Sequence, residues 1–170
     1  RDVAAAVGIS AAALYHHFPD KQALYLAAME HAFARNESGI LAALESDRSP
    51  LERLNGFVTG FAALAGRDEE CRKLMQRELL DGDETRLELL AGHVFRQPHA
   101  AIVALARELA TDLDPYMLAD SVIGLVLFSF QTAPLRRHLA GRAERPERPD
   151  DIARHVMTLL RRVFAHQDSP

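Results

Sequence analysis

Residues 2–21, DVAAAVGISAAALYHHFPDK, constrain the fold of this chain more than any other stretch, because they have the spacing of a helix-turn-helix. Ala4 is a small residue where two helices can cross closely. Gly8 follows four residues later, where the turn needs a residue that accepts a positive φ angle. Ser10 is a good N-cap for a second short helix over residues 11–17. Because a helix-turn-helix presents its second helix to the major groove, this stretch predicts a DNA-binding head.

The end of the motif carries a more specific signature. Tyr15, His17 and Phe18 are followed by Lys21 at the predicted start of the next helix. This pattern resembles the tetracycline-repressor-like (TetR) family of bacterial regulators, in which the recognition helix ends in an aromatic, a variable residue, His and Phe. The resemblance is specific over residues 2–30. It implies an all-α protein with a helix-turn-helix head followed by a helical ligand-binding and dimerisation bundle.

The chain opens at Arg1 in the middle of the motif, without the helix that must precede Asp2. We therefore expect an N-terminal segment, often basic in the family, to complete a three-helix head. The formal net charge of −4 counts mildly against DNA binding, since DNA-binding domains usually carry a basic footprint. Such a segment would offset that charge.

The rest of the sequence has helical periodicity, and the alternation typical of strands is not evident. We predict a connector helix from Lys21 to about Ser46, so that residues 1–46 form the DNA-binding domain and residues 47–170 the ligand-binding and dimerisation domain. We predict five helices in the second domain. The first begins at Pro50, and the others cover Glu69–Leu80, Glu84–Ala110 with a kink at Pro98, Pro115 to about His138, and Asp151–His166. A charged linker over 139–149 precedes the last helix.

The candidate DNA contacts surround the second helix of the motif. They are Ser10, Ala11, Ala12, Ala13, Tyr15, His16, His17 and Lys21. A tyrosine hydroxyl, an imidazole N–H and an ammonium can each donate to phosphate oxygens, which sets the register on the duplex. Without the family motif, packing and surface roles are the better interpretation of Tyr15 and His17; with the motif, DNA contact is.

Residues 11–13 depart from the family pattern, because three alanines offer no hydrogen bond to a base edge. Their methyl groups can contact thymine methyls. Base recognition then depends on these contacts, on His16 or on DNA shape. Alternatively, the alanines merely stabilise a short helix.

An apolar set at helical spacing is the candidate lining of the ligand cavity that the family resemblance implies. Its members are Phe57, Phe61, Met75, Leu79, Leu90, Val94, Ile102 and Phe128, with Glu78, His93, His99 and Gln131 as polar groups that could orient a ligand. The expected effector is a largely apolar, drug-sized molecule held by one or two polar contacts. Such a set is more often ordinary core, and the cavity is what the family resemblance implies.

A second apolar set predicts a homodimer. The next-to-last helix is apolar nearly all round, and the last helix has one apolar face. The interface residues we predict are Ile123, Leu127, Ile152, Val156, Leu159 and Val163. The alternative is a central helix covered by its own chain.

Enzyme functions lack the motifs that they require. The eight histidines include no HExxH pair and no zinc-ligand spacing, and there is no phosphate-binding glycine loop and no nucleophile elbow. We therefore predict no catalytic site, no metal and no cofactor. The single cysteine, Cys71, excludes an intramolecular disulfide and fits the reducing cytoplasm. The most apolar run, between Asp120 and Arg136, is shorter than the roughly 20 residues that a membrane span needs.

These features predict a homodimeric repressor that binds a near-palindromic operator in double-stranded DNA and is released by a small apolar effector. The alternative is a helical small-molecule-binding protein or enzyme with a degenerate DNA-binding head. The three alanines and the acidic balance are the features that favour the alternative.

Overall fold

The computed structural model describes residues 2–34, 37–110, 112–139 and 148–165, and among these residues every regular element is helical. The predicted all-α class is confirmed. The α-helices are α1 (Asp2–Ala6), α2 (Ala11–His17), α3 (Lys21–Ala34), α4 (Glu37–Leu44), α5 (Pro50–Arg67), α6 (Glu69–Asp81), α7 (Glu84–Leu89), α8 (Arg96–Leu109), α9 (Pro115–Gln131), α10 (Ala133–Arg136) and α11 (Pro149–Ala165), and a π-helical turn covers Leu90–Phe95 between α7 and α8.

Side chains at the helix starts explain where several helices begin. The Asp68 side chain accepts the backbone N–H of Cys71 at 2.9 Å at the start of α6. The predicted capping box of α5 is present, since the Ser49 N–H donates to Glu52 Oε2 at 3.1 Å. These hydrogen bonds satisfy amides that have no partner within the helix. Gly82 ends α6 in the left-handed conformation, with φ of 62°.

Three predicted segments differ from the structure or extend beyond its described residues. The connector expected over 21–46 corresponds to two helices, α3 and α4. Residues 35–36 between these helices, residues 140–147 of the predicted linker and His166 lie outside the described part of the chain. The kink expected at Pro98 takes the form of the π-helical turn at Leu90–Phe95. Pro98 has no N–H to donate to the carbonyl of Val94, so the regular hydrogen-bond pattern fails directly after this turn.

Helix α5 is the centre of the main core. Its buried side chains Leu54, Phe57 and Val58 pack among α4, α8, α9 and α11. The larger buried residues of the other helices are Ile102, Val103, Leu105, Val122, Val126, Ile152, Val156, Leu160 and Phe164. At the end of α5, Gly66 allows the start of α11 to approach closely, since a Cβ there would overlap Pro149.

A second, smaller apolar cluster joins α3 to the bundle. Met29 of α3 is buried against Leu90 and Val94 of the π-helical turn. Partly buried residues that surround them are Tyr25, Leu26, Phe33, Leu74, Met75 and Phe95. Because α3 follows α2 closely in the chain, this cluster connects the predicted helix-turn-helix to the other helices. Within the described residues, no helix has the length and apolar character that crossing a membrane requires.

Candidate DNA-binding head and ligand cavity

The helix-turn-helix has the local geometry that its sequence predicts. Ala4 is buried between α1 and α2, which is why a small residue is needed there. Gly8 has φ of 73°, and this turn conformation favours glycine. The N–H of Ile9 donates to the Ala4 carbonyl at 3.0 Å, and Ser10 Oγ accepts the N–H of Ala13 at 3.0 Å to cap α2. The turn and the start of the recognition helix are therefore set by local hydrogen bonds.

The candidate DNA contacts form one accessible surface around α2. Ser10, residues 12–13, His16, His17 and Lys21 are exposed, and Ala11 is half-buried. Tyr15 is 59% exposed, which argues against the alternative that it is a packing residue. The rings of His16 and His17 stack with centroids 5.5 Å apart at the end of the helix. This surface offers hydroxyl, imidazole and ammonium donors side by side, as phosphate binding requires.

A cavity of about 350 Å³ lies between α3, α5, α6, α8, α9 and the π-helical turn. Seven of the predicted ligand contacts line it: Phe57, Phe61, Met75, Leu79, Val94, Ile102 and Gln131. His99 also lines it. The rings of Phe57 and Phe61 stack with centroids 5.5 Å apart and form one wall. The volume is near the lower end of the range of about 300–1,000 Å³ that is usual for small-molecule sites.

Four predicted ligand residues do not line this cavity. Glu78 is buried in an ion pair, where its Oε2 accepts from Arg86 Nε at 2.8 Å. Leu90 is buried in the second cluster against α3. His93 is exposed, and Phe128 is 65% exposed on the outer side of α9. The 3.6-residue period placed Leu90 on the cavity face, but the π-helical turn changes which residues share a face.

Of the six predicted interface residues, two are buried by their own chain, two are half-buried and two are exposed. Ile123 and Leu127 line the cavity. Ile152 and Val156 belong to the main core, where Val156 is only 2% exposed. Leu159 and Val163, by contrast, are exposed on the outer side of α11. The apolar face of α11 was identified correctly, but α5 covers most of it.

Sequence reasoning missed the main polar group of the cavity, which is Arg72. Its Nη1 is buried and has no hydrogen-bond partner among the described residues. The guanidinium carbon lies 5.4 Å from the centre of the Phe130 ring. Arg72, Met75 and Leu79 are spaced i, i+3 and i+7, so they share one face of α6. This spacing places a charged residue on the same helix face as two predicted ligand contacts, so the sequence alone could have identified Arg72.

The other polar groups of the cavity have partners or lie at its edge. Asp68 caps α6 through Cys71, and burial raises the pKa of the Cys71 thiol to about 11, with the Asp68 carboxylate contributing. A thiol with this pKa is a poor nucleophile. His99 Nε2 lies 3.7 Å from Asp120 Oδ1, and its ring stacks on Tyr116. Among the described residues, no group of three or more His, Cys, Asp or Glu could hold a metal ion.

A cluster of polar side chains lies where α3, α6 and α7 meet. Tyr25 of α3 lies beside Glu78 of α6 and Arg86 of α7, with the Arg86 guanidinium 5.9 Å from the ring centre. Burial, together with the nearby Glu78 carboxylate, raises the pKa of Tyr25 to about 12. The Tyr25 hydroxyl lies close to the Glu78 carboxylate, but the geometry makes no regular hydrogen bond to it or to another described residue. A buried hydroxyl without a partner is destabilising, so this region is not optimised for stability alone.

Two segments of the chain match known families. Residues 1–28 match "Bacterial regulatory proteins, tetR family", and residues 50–165 match "HTH-type transcriptional dual regulator CecR, C-terminal domain". Nucleoid occlusion factor SlmA of Idiomarina loihiensis is 24% identical over 129 residues, which are 75% of this chain and 66% of that protein. SlmA of Aliivibrio fischeri strain MJ11 is 27% identical over 130 residues, 73% of this chain and 66% of that protein. The matched region thus spans just under two thirds of the length of these relatives.

Solved structures share the arrangement of head and bundle. A transcriptional regulator of the TetR/AcrR family from Thermobifida fusca YX-ER1 superposes with a TM-score of 0.62 at 16% identity, over 94% of this chain and 82% of that chain. The structure of AibR in complex with isovaleryl coenzyme A and operator DNA has a TM-score of 0.62 at 22% identity, over 93% and 84% of the two chains. The shared fold and the match over residues 50–165, which is more than half of the chain, lead to one conclusion: the chain belongs to the TetR family of bacterial regulatory proteins, with a CecR-type C-terminal domain.

Proposed function

We propose that this protein is a DNA-binding transcriptional repressor that leaves its operator when a small molecule occupies the bundle cavity. The observation that carries the proposal is that the cavity reaches α3, the helix that follows the recognition helix, through Phe33. A ligand in this position contacts an element whose other end lies at the DNA-binding surface. AibR, whose structure contains both operator DNA and isovaleryl coenzyme A, supports a ligand-responsive mode of DNA binding.

The proposed DNA contacts use the accessible surface around α2. Tyr15, His17 and Lys21 would hold phosphates, and His16 together with the methyl groups of residues 11–13 would contact base edges. Asp20 Oδ1 accepts the N–H of Ala23 at 2.7 Å, so the helix that carries Lys21 at its first position is locally capped. Lys21 is thereby held next to the end of the recognition helix.

The proposed effector response passes through aromatic packing. The rings of Phe33 in α3 and Phe95 in the π-helical turn meet edge to face, with centroids 5.1 Å apart, and both residues line the cavity. A ligand that enters beside this pair competes with its packing. Ligand binding would then favour a population in which α3 has a different position, and the head no longer fits the operator.

The proposed homodimer uses an exposed stripe of α9 and the neighbouring outer side of α11. Ser121, Gly124 and Phe128 are exposed at i, i+3 and i+7, and a Cβ at Gly124 would meet no atom within 4 Å. On α11, Leu159 and Val163 are exposed as well. An apolar surface with a small residue at its centre permits close helix packing between two copies. Two heads could then contact major grooves roughly 34–36 Å apart on a near-palindromic operator.

An electrophoretic mobility shift with DNA from upstream of the protein's own gene tests DNA binding. We expect a shift that a scrambled duplex does not produce. Lys21→Ala should weaken binding to all sequences and reduce the slope of log K against log salt by about 0.9, because one phosphate contact is lost. Lys73→Ala is the matched control, since Lys73 of α6 pairs with Glu69 and Glu70. Equal slopes for the wild type and both variants would remove Lys21 from the interface.

Sedimentation velocity tests the dimer. Phe128→Asp should give monomers at micromolar concentration, because the charge would be buried between two copies. Leu80→Asp is the control, since Leu80 is the most exposed of the three leucines of α6 and lies outside the stripe. A monomeric wild type, or two dimeric variants, would refute the proposed interface.

The second candidate function is a helical binding protein or enzyme whose head no longer recognises DNA. The observation that favours it is the recognition helix itself, where residues 12–13 expose only methyl groups. If neither upstream DNA nor random duplex is shifted at low salt, this candidate replaces the repressor.

A further inference from the structure

Arg72 is the unusual residue of the cavity wall. Its Nη1 is buried and unpaired among the described residues, although a guanidinium has five N–H donors that need acceptors. Leaving a charged donor buried without a partner costs more than leaving a neutral one. Arg72 nevertheless lines a largely apolar cavity, and its guanidinium carbon lies 5.4 Å from the centre of the Phe130 ring, which is not itself a lining residue. If this donor binds a ligand, the free-energy cost of burying it without an acceptor has an explanation that packing alone does not give.

The nearby acids do not neutralise Arg72. No carboxylate among the described residues lies within ion-pair distance of its guanidinium. Asp68 is the one carboxylate among the cavity residues, and its Oδ1 already accepts the Cys71 N–H. His99, at the other side, faces Asp120. The cavity therefore offers one unpaired positive charge at the edge of an apolar volume.

We propose that the effector is an amphipathic anion, with an apolar chain that fills the cavity and a carboxylate or phosphate head that pairs with Arg72. This inference rests on the proposed effector role of the cavity. An anionic oxygen would satisfy Nη1 and neutralise the guanidinium, while a neutral ligand would leave both uncompensated. A cationic ligand would be repelled.

The rest of the wall fits the apolar part of such a molecule. Phe57, Phe61 and Leu64 of α5 line the cavity together with Ile123 and Leu127 of α9. The volume of about 350 Å³ suits one acyl or alkyl chain better than a large ring system. The contact with Phe130 keeps the guanidinium in place, so that little side-chain entropy is lost when the anion binds.

Isothermal titration calorimetry with three matched probes tests the proposal on the DNA-free protein. The probes are decanoate, decyl phosphate and decanol, which share a chain and differ in the head group. We expect at least one of the two anions to bind about 10- to 100-fold more tightly than decanol, which is the range for a charge-assisted hydrogen bond. The better anion identifies the head group as carboxylate or phosphate.

Variants place the anion at Arg72. Arg72→Gln should remove the preference for the anion and leave decanol binding unchanged, whereas Arg77→Gln, on an exposed position of the same helix, should retain the preference. Leu64→Trp should fill the cavity and weaken all three probes. Equal affinity of the anions and decanol, failure of every probe to bind, or an unchanged preference in Arg72→Gln would each overturn the proposal.

The test separates this inference from the proposed repressor function. Anion binding is measured without DNA, and operator binding of Arg72→Gln is measured without ligand. We expect this variant to bind the operator normally and to release it poorly when the anion is added. Absence of operator binding by the wild type would refute the repressor and leave anion binding intact.

Discussion

The main core and the cavity region are both built from apolar helix faces, yet only the main core is filled. Around α5, Leu54 and Val58 are completely buried by four neighbouring helices. Beside it, similar residues, including Phe57 and Ile102 of the main core, line about 350 Å³ of open volume. Arg72 also lines this volume, and its Nη1 is buried without a partner among the described residues. The comparison shows that apolar periodicity does not distinguish a structural core from a binding site. The open volume, and the unpaired Nη1 of Arg72 on its wall, mark the region that we assign to function.

The largest expected effect on stability comes from comparing a buried position of α11 with an exposed position of the same helix. Val156→Glu should prevent folding or cost at least about 3 kcal/mol, because a buried charge would have no partner. Leu159→Glu, three residues later on the exposed side of α11, should leave the monomer folded. Circular dichroism during urea unfolding measures both variants. A folded Val156→Glu of near wild-type stability would contradict the assignment of this face to the core.

A matched pair on α5 compares the two regions with the same substitution. Leu54→Ala should lower the free energy of unfolding by roughly 2–5 kcal/mol, because it creates a cavity in packed surroundings. Leu64→Ala should cost roughly 1–2 kcal/mol, since Leu64 is partly buried and already borders open volume. Chemical denaturation in the absence of ligand gives both values. Equal costs would mean that the cavity closes in solution.

The smallest expected effect concerns Tyr25. Because its folded pKa of about 12 is above the unfolded value of about 10, the neutral phenol stabilises the folded state fully below pH 10. This contribution is lost as the pH rises from 10 to 12. Tyr25→Phe should be at least as stable as the wild type at pH 7, since it removes a buried hydroxyl that has no partner among the described residues.

Urea midpoints between pH 9 and pH 12 test this expectation. Tyr25→Phe should lose less stability than the wild type over this range. Identical pH dependence in the two proteins would show that Tyr25 does not titrate from a buried position, and would weaken the contrast between the two regions.

Local sequence signals predicted the head and most helix boundaries. Gly8 requires a positive φ, Ser10 caps α2, and Ser49 with Glu52 forms the capping box of α5, and each of these effects involves residues within four positions of one another. The family resemblance over residues 2–30 likewise depends on a contiguous motif. Such interactions are encoded by the sequence itself, because they need no knowledge of what packs against the helix.

The tertiary structure alone decided what each apolar face contacts. Periodicity assigned α11 an apolar face, but only the position of α5 shows that Ile152 and Val156 lie in the core rather than between two copies. The π-helical turn moved Leu90 from the predicted cavity to the contact with α3. Arg72 was within the stripe that the sequence displays, yet its importance comes from acceptors that are missing around it in space. A helix face is a local property of the chain, whereas its neighbours, its burial and the pairing of its charges depend on segments distant in sequence.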